Sequence, residues 1–245
     1  MAKTIVITGA GDGLGRALAR RFARDGETVV LLGRTLSKVQ AVADEIGAPH
    51  FAIKCDVGNP DSVRAAFATI AQTHPKIDVL INNAGIFEPF TLGEVSDDQV
   101  ISQITTNLAG PIFCAREALP LLRGGGQIIN VTSEGVALKM PMLWLYAGTK
   151  AGLELVSDMW GRELESEGVR VTVVRAGQMF DETKTAPPWP QDVAIRFATE
   201  NAKVGLNLRE RPLSHYNSVT DAFRAVIDMP ADLHIGTVAL SAARR

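Results

Sequence analysis

Thr8-Gly9-Ala10-Gly11-Asp12-Gly13-Leu14-Gly15 follows a short apolar run, residues 4–8, and leads directly into a stretch with helical periodicity. A strand that turns on glycines and restarts as a helix gathers backbone N–H groups at a helix N-terminus, where an anion is favoured. Glycines serve such a turn because they adopt angles that a Cβ opposes and because they let a pyrophosphate approach the main chain. Glycine pairs also occur in βα turns for packing alone, so the position after the first strand is what points to dinucleotide binding.

Outward from that turn the same alternation continues. Runs over 4–8, 28–32, 51–55, 79–82, 128–132, 169–174 and 235–240 read as strands without polar alternation, as expected when helices cover both sheet faces. Amphipathic stretches over 14–24, 36–46, 60–72, 97–122, 143–167 and 219–228 lie between them. The pattern predicts a single α/β domain over 1–245: a Rossmann-like, doubly wound parallel sheet of about seven strands with helices on both faces. A length of 245 residues with 46% hydrophobic and 21% charged composition suits one well-packed unit. The stretch 178–216, with Pro187, Pro188, Pro190 and Pro212, reads as a long irregular connection and is expected to be a lid over the substrate.

Composition narrows the partners. A formal net charge of −2 without a basic stripe argues against nucleic acid. The two cysteines, Cys55 and Cys114, stand far apart outside any C-x-x-C, so they read as small core residues in a reducing compartment. His50, His74, His215 and His234 are scattered, and no metal site is expected. Met-Ala-Lys followed by a strand does not read as a signal peptide, and no stretch reaches the roughly 18–20 apolar residues of a membrane span. A cytoplasmic location with no membrane contact is the expectation.

The glycine spacing is T-G-x-x-x-G-x-G rather than G-x-G-x-x-G. Asp56-Val57 follows the third strand, Asn82-Asn83-Ala84-Gly85 closes the fourth, and Asn107 sits in Thr106-Asn107-Leu108. Ser133 ends the fifth strand, thirteen residues before the Y-x-x-x-K of Tyr146-Ala147-Gly148-Thr149-Lys150. This ordered set, running from residue 4 to about 180, resembles the short-chain dehydrogenase/reductase family. The resemblance implies an NAD(P)-dependent enzyme that moves a hydride reversibly between the nicotinamide and a small-molecule carbonyl or secondary alcohol. It places Gly9, Asp12, Gly13, Leu14 and Gly15 at the pyrophosphate, Asp56 and Val57 at the adenine, and Asn83, Ala84 and Gly85 along the cofactor cleft. Tyr146 becomes the general acid or base, Lys150 a ligand of the nicotinamide ribose, and Ser133 a donor to the substrate oxygen. Asn107 positions a water that links Lys150 to solvent. A homo-oligomer, tetramer or dimer, is implied through the helices 97–122 and 143–167. A dehydratase or epimerase on this scaffold, and a non-catalytic dinucleotide sensor, are the alternatives.

The spacing of Tyr146 and Lys150 puts both on one helix face. A phenol with a pKa of about 10 is a poor base near neutrality, and a neighbouring ammonium and an oxidised nicotinamide both favour phenolate. Several residues carry a second reading. Ser133 can cap a turn at the strand end, Asp56 can be an ordinary strand-end carboxylate, and Asn82 and Asn83 can end their strand as well as line the cleft. Met140, Met142, Leu143 and Trp144 can line the substrate pocket or pack in a core or subunit interface.

The C-terminal strand, 235–240, lacks the D-G-G ending common in the family, and two further positions bear on the cofactor. After the sixth strand the family has Pro-Gly and then a threonine; here Ala176 precedes Gly177, and Asp181 holds the threonine position. Gly177 and Met179 remain to offer backbone to the nicotinamide carboxamide. At the end of the second strand, where NAD-selective sites carry an acid, this chain has Gly33 followed by Arg34. Arg34 suits a 2′-phosphate, while Asp12 opposes one or is neutralised by Arg34. NADP is therefore the expected preference, with NAD possible.

Overall fold

A computed structural model of the chain describes residues 2–180 and 189–243. The chain opens with β1 (Thr4–Thr8), α1 (Gly13–Arg24), β2 (Thr28–Gly33), α2 (Leu36–Ile46), β3 (Phe51–Lys54), α3 (Pro60–Thr73) and β4 (Val79–Asn82). It continues through α4 (Asp97–Ile104), a π turn (Thr105–Ala109), α5 (Gly110–Leu122), β5 (Gln127–Ser133), the one-turn α6 (Gly135–Leu138), α7 (Trp144–Glu163) and β6 (Arg170–Ala176). The two-residue strands β7 (Met179–Phe180) and β8 (Ser214–His215) flank α8 (Gln191–Lys203), and α9 (Tyr216–Ile227) leads to β9 (Thr237–Ala239).

Seven strands form one sheet in the order β3-β2-β1-β4-β5-β6-β9, every pair parallel. The order reverses between β1 and β4, and the carboxyl ends of the strands part there, which is where such sheets hold ligands. The unbroken apolar runs have a direct cause in the layers. Ile5 and Ile7 of β1, Val29 and Leu31 of β2, and Val79 and Ile81 of β4 pack with Leu18, Phe22 and Phe223 of α1 and α9. Their alternate neighbours Val6, Val30, Leu32 and Leu80 pack on the other face with Phe67, Ile70, Ala118 and Leu122 of α3 and α5. Side chains from both faces of each strand lose water, so polar alternation disappears.

The expected helix over 97–122 is broken by the π turn at 105–109, and α5 restarts with a proline in its first turn. Where the sequence had led us to expect irregular chain, the described part of 178–216 holds the helix α8. Pro190 caps α8, and the short β7–β8 pair closes the segment. Its prolines hid a helix that buries only Phe197 and Asn201, too little to show a clear apolar stripe. Residues 181–188 of the expected lid, with Asp181, Pro187 and Pro188, lie outside the described residues.

Candidate active site

The glycine loop is built as its sequence requires. Gly9 and Gly13 have positive φ of 67° and 52°, and a Cβ on Gly15 would lie 2.3 Å from the Gly9 carbonyl. Asp12 caps α1, accepting a hydrogen bond from Gly13 N at 2.7 Å, while Leu14 is buried in the core beneath. The loop is fixed to β4 by Thr8 and Asn83. Thr8 Oγ1 accepts from the backbone N–H groups of Asn83 and Ala84, both at 3.0 Å, and Asn83 Nδ2 donates to the Thr8 carbonyl at 3.0 Å. A Cβ on Gly9 would come within 2.9 Å of Ala84 Cα, so the two strand ends meet closely. Asn82 turns away into a buried chain, donating to Asn130 Oδ1 at 2.9 Å, and Asn130 in turn donates to Ser157 Oγ at 2.8 Å.

At the far end of the cleft, a Cβ on Gly33 would collide with Val39 Cγ1 at 2.6 Å, and Arg34 follows it, exposed. Asp56 Oδ1 accepts from Gly58 N at 3.0 Å in the turn before α3, and Val57 is buried against Gly110.

Four side chains converge beyond β4 and β5. Ser133 and Tyr146 both border Gly135, whose Cβ would stand 3.4 Å from Ser133 Oγ and 4.0 Å from Tyr146 Cε1, and Lys150 Nζ lies 5.9 Å from the Tyr146 ring centroid. Lys150 is 3% exposed and donates to the Val131 carbonyl at 2.9 Å. Asn107, in the π turn, accepts from Ile86 N at 2.9 Å and donates to Ile86 O at 2.8 Å and to Thr149 Oγ1 at 3.3 Å. A Cβ on Gly85 would stand 3.3 Å from Asn107 Oδ1 and 3.5 Å from Lys150 Nζ, so Gly85 leaves this corner open. π turns recur at functional positions, and this one carries Asn107.

Burial sets the electrostatics. It pushes the Tyr146 phenol above its ordinary value of 10, against the opposing hydrogen bond from Ser133. It also lowers the Lys150 ammonium to about 8. Desolvation in the protein alone thus moves Tyr146 in the sense opposite to the downward shift expected from its lysine neighbour.

The match to the family model for short chain dehydrogenases extends over residues 3–194. The chain belongs to the short-chain dehydrogenase/reductase family. It is 35% identical to 3β-hydroxysteroid dehydrogenase of Mediterraneibacter gnavus over 177 residues, 70% of this chain and 64%, just under two thirds, of that one. It is 34% identical to D-xylose 1-dehydrogenase of Caulobacter vibrioides over 76% of this chain and 75% of that protein. The structure of an alcohol dehydrogenase from Thermococcus sibiricus, complexed with 5-hydroxy-NADP, superposes with a TM-score of 0.84 at 25% identity, covering 100% of this chain and 99% of the other. This chain is accordingly an NAD(P)-dependent short-chain dehydrogenase/reductase acting on alcohol or carbonyl groups.

Aromatic side chains border Tyr146 in this short-chain dehydrogenase/reductase, and sequence reasoning missed their central member. Phe87 stands 5.7 Å from the Tyr146 ring and 5.0 Å from Trp189, which stands 5.3 Å from Phe197. Trp189 Nε1 donates to the Phe87 carbonyl at 3.1 Å. Met142, Leu143 and Phe197 are buried together, with Met140, Tyr146, Trp189 and Leu208 packed against them. Trp144 instead is 40% exposed and meets Phe90 edge-on at 5.8 Å. Phe180, expected in the lid, packs against His215. Met142 carries φ of 65°, a conformation that costs a non-glycine residue roughly 1–2 kcal/mol and clusters at functional sites.

Glu134 was also not foreseen. Its carboxylate accepts from Gln178 N at 3.1 Å and pairs with Arg211 at 2.5 Å, beside Gly177. Only the fold brings these residues together. Cys55 and Cys114 are buried free thiols, Cys55 pushed up to about 12 by burial. Among the described residues no group of three or more His, Cys, Asp or Glu is placed to hold a metal, and no helix is long and apolar enough to cross a membrane.

Proposed function

We propose that the protein interconverts a ketone and a secondary alcohol whose carbon carries a bulky apolar group, with Tyr146 as the proton donor or acceptor. The observation that carries this reading is the juxtaposition of Ser133 and Tyr146 beside Gly135, with buried Lys150 on the adjoining helical turn and Asn107 anchored beside it. The dinucleotide, when bound, supplies or accepts the hydride. The loop glycines, including Gly9, Gly13 and Gly15, turn the chain tightly into α1, since a Cβ on Gly9 or Gly15 would collide with Ala84 Cα or the Gly9 carbonyl, and the backbone at the start of α1 would hold the pyrophosphate. Ser133 holds the substrate oxygen through its hydroxyl as charge develops there. Tyr146 transfers the proton across the same short gap.

Lys150 at about 8 exists in both protonation states near neutrality, which suits a group that binds ribose hydroxyls and relays a proton. Asn107 fixes the main chain at Ile86 and holds the corner next to Gly85 and Lys150 through which that proton is replaced. In this reading Asp56 and Val57 border the adenine, Arg34 faces the adenosine ribose, and Gly177 and Met179 offer backbone to the carboxamide.

The apolar substrate class follows from Phe87, Trp189 and Phe197, which bring rings to within van der Waals reach of one another beside Tyr146. The steroid named for the Mediterraneibacter relative is one molecule of that class, whereas the xylose of the Caulobacter relative is not. A homo-oligomer is part of the proposal. Ile101 of α4 and Leu155 and Met159 of α7 are exposed apolar residues on helices available for subunit contact.

Purified protein assayed with NADPH and NADH against steroidal, alicyclic and aromatic ketones, sugars and small hydroxy acids tests the reading. Net dinucleotide turnover greatest with the apolar ketones is expected. Product formation without net turnover would indicate a dehydratase or epimerase instead, and dinucleotide binding without any product would indicate a sensor.

A further inference from the structure

The turn after β6 is where this chain departs from its family's pattern, and its structure shows what holds it. Ala176 lacks the φ restraint of a proline. In its place, the Gln178 backbone is held at both its N–H and its carbonyl. Its N–H donates to Glu134 Oε1 at 3.1 Å, and its carbonyl accepts from Ser214 N at 3.0 Å. Glu134 N donates to the Ala176 carbonyl at 2.9 Å, closing a ring between the end of β5 and the end of β6. A Cβ on Gly177 would meet the Leu240 carbonyl at 2.7 Å, so the turn has no room to slide towards β9. The second Glu134 oxygen takes Arg211 Nη2 at 2.5 Å, from the segment that joins α8 to β8. Glu134 and Arg211 side chains are only 17% and 25% exposed, so this pair is shielded from much of the solvent that weakens surface ion pairs.

We propose that Glu134 is a positioning residue for the nicotinamide end of the dinucleotide. Its carboxylate sets the Gln178 peptide and so aims the Gly177 and Met179 backbone at the carboxamide. Through Arg211 the same carboxylate ties that setting to the 189–215 segment, whose Trp189 and Phe197 stand over the substrate side. This inference rests on the dinucleotide reading given above. Ser133 immediately precedes Glu134, so the donor to the substrate oxygen and the clamp of the cofactor turn are fixed by adjacent residues of one strand end.

The test separates the two halves of the dinucleotide by titration rather than turnover. Fluorescence titration gives the Kd of NADPH, and calorimetry gives the Kd of adenosine 2′,5′-bisphosphate, which lacks the nicotinamide half. Glu134→Ala is expected to raise the NADPH Kd tenfold or more while changing that of the adenosine fragment less than twofold. Glu134→Gln, whose amide oxygen still accepts from Gln178 N, is expected to recover most of that loss. An alanine variant that weakens both ligands equally, or neither, would overturn the proposal. If wild type bound neither NADPH nor NADH, the dinucleotide reading would fall instead, a result separable from either of these.

Discussion

Thr8 and Asn83 hold each other across the point where the sheet reverses. The threonine hydroxyl receives both N–H groups of the Asn83-Ala84 peptide run, and the asparagine amide returns a bond to the Thr8 carbonyl, all at 3.0 Å. Asn83 N has a second acceptor in the Ile81 carbonyl at 3.1 Å, so the hydroxyl matters most for Ala84 N. Thr8→Val keeps the shape and removes that acceptor. It is expected to destabilise the protein by about 1 kcal/mol in urea unfolding, the cost of removing the acceptor of one part-buried donor. Thr8→Ser is expected to stay closer to wild type, since it keeps the acceptor. A valine variant as stable as wild type would remove the hydroxyl from this role.

Tyr146→Phe isolates the proton step. The ring still stands beside Phe87, and only the hydroxyl is lost. Turnover is expected to fall by on the order of 10²–10⁴, the usual worth of a positioned acid or base, with the NADPH Kd within threefold of wild type. Turnover within threefold of wild type would exclude Tyr146 from the chemistry.

The overall architecture and the Asn107-Ser133-Tyr146-Lys150 set were legible in the sequence because each leaves a local mark. Apolar runs punctuated by glycines report a sheet covered on both sides, and Y-x-x-x-K reports one helix face. Phe87 left no such mark: only the fold carries it to Trp189, across a long connection. Glu134 and Arg211 meet 77 positions apart, by the parallel register of β5 and β6 and the return of β8. The positive φ of Met142 is imposed by tertiary packing, with its carbonyl accepting from Phe90 N at 2.9 Å, and no residue type announces it. The π turn escaped for the same reason, since periodicity over 97–122 is nearly continuous through it.

Burial of Lys150 makes a prediction about stability against pH. Its folded value, about 8, lies below its ordinary 10.5, so between these values the unfolded chain binds more protons than the folded one. Stability from this residue therefore rises with pH from about 8 towards 10.5 and is lost below about 8. Tyr146, shifted upward, and the two buried thiols act oppositely at higher pH, so the residue is best isolated by difference. Lys150→Met removes the buried ammonium. Its stability relative to wild type, from urea unfolding of the unliganded proteins, is expected to fall by about 2–3 kcal/mol between pH 8 and 10. A difference that stays flat across that range would show that Lys150 is not desolvated in solution.

Cofactor choice turns on Gly33 and Arg34. An acidic side chain at position 33 would accept from the adenosine ribose and favour NAD, but its Cβ would stand 2.6 Å from Val39 Cγ1. An acid there would force the buried Val39 side chain to shift. Arg34 comes next and is exposed, where a guanidinium can fork onto a 2′-phosphate and stack on adenine. The opposing charge, Asp12, has one oxygen bound to Gly13 N at 2.7 Å, and its position at the start of α1 favours the negative charge locally. We expect kcat/KM to favour NADPH over NADH by a modest factor, because screening weakens charge contacts at an exposed edge. Arg34→Ala is expected to lower kcat/KM for NADPH by the equivalent of about 1.5–3 kcal/mol, the range for a hydrogen bond to a charged group, and to leave NADH nearly unchanged. A wild type that prefers NADH, or an Arg34→Ala variant that loses both cofactors equally, would assign the preference elsewhere.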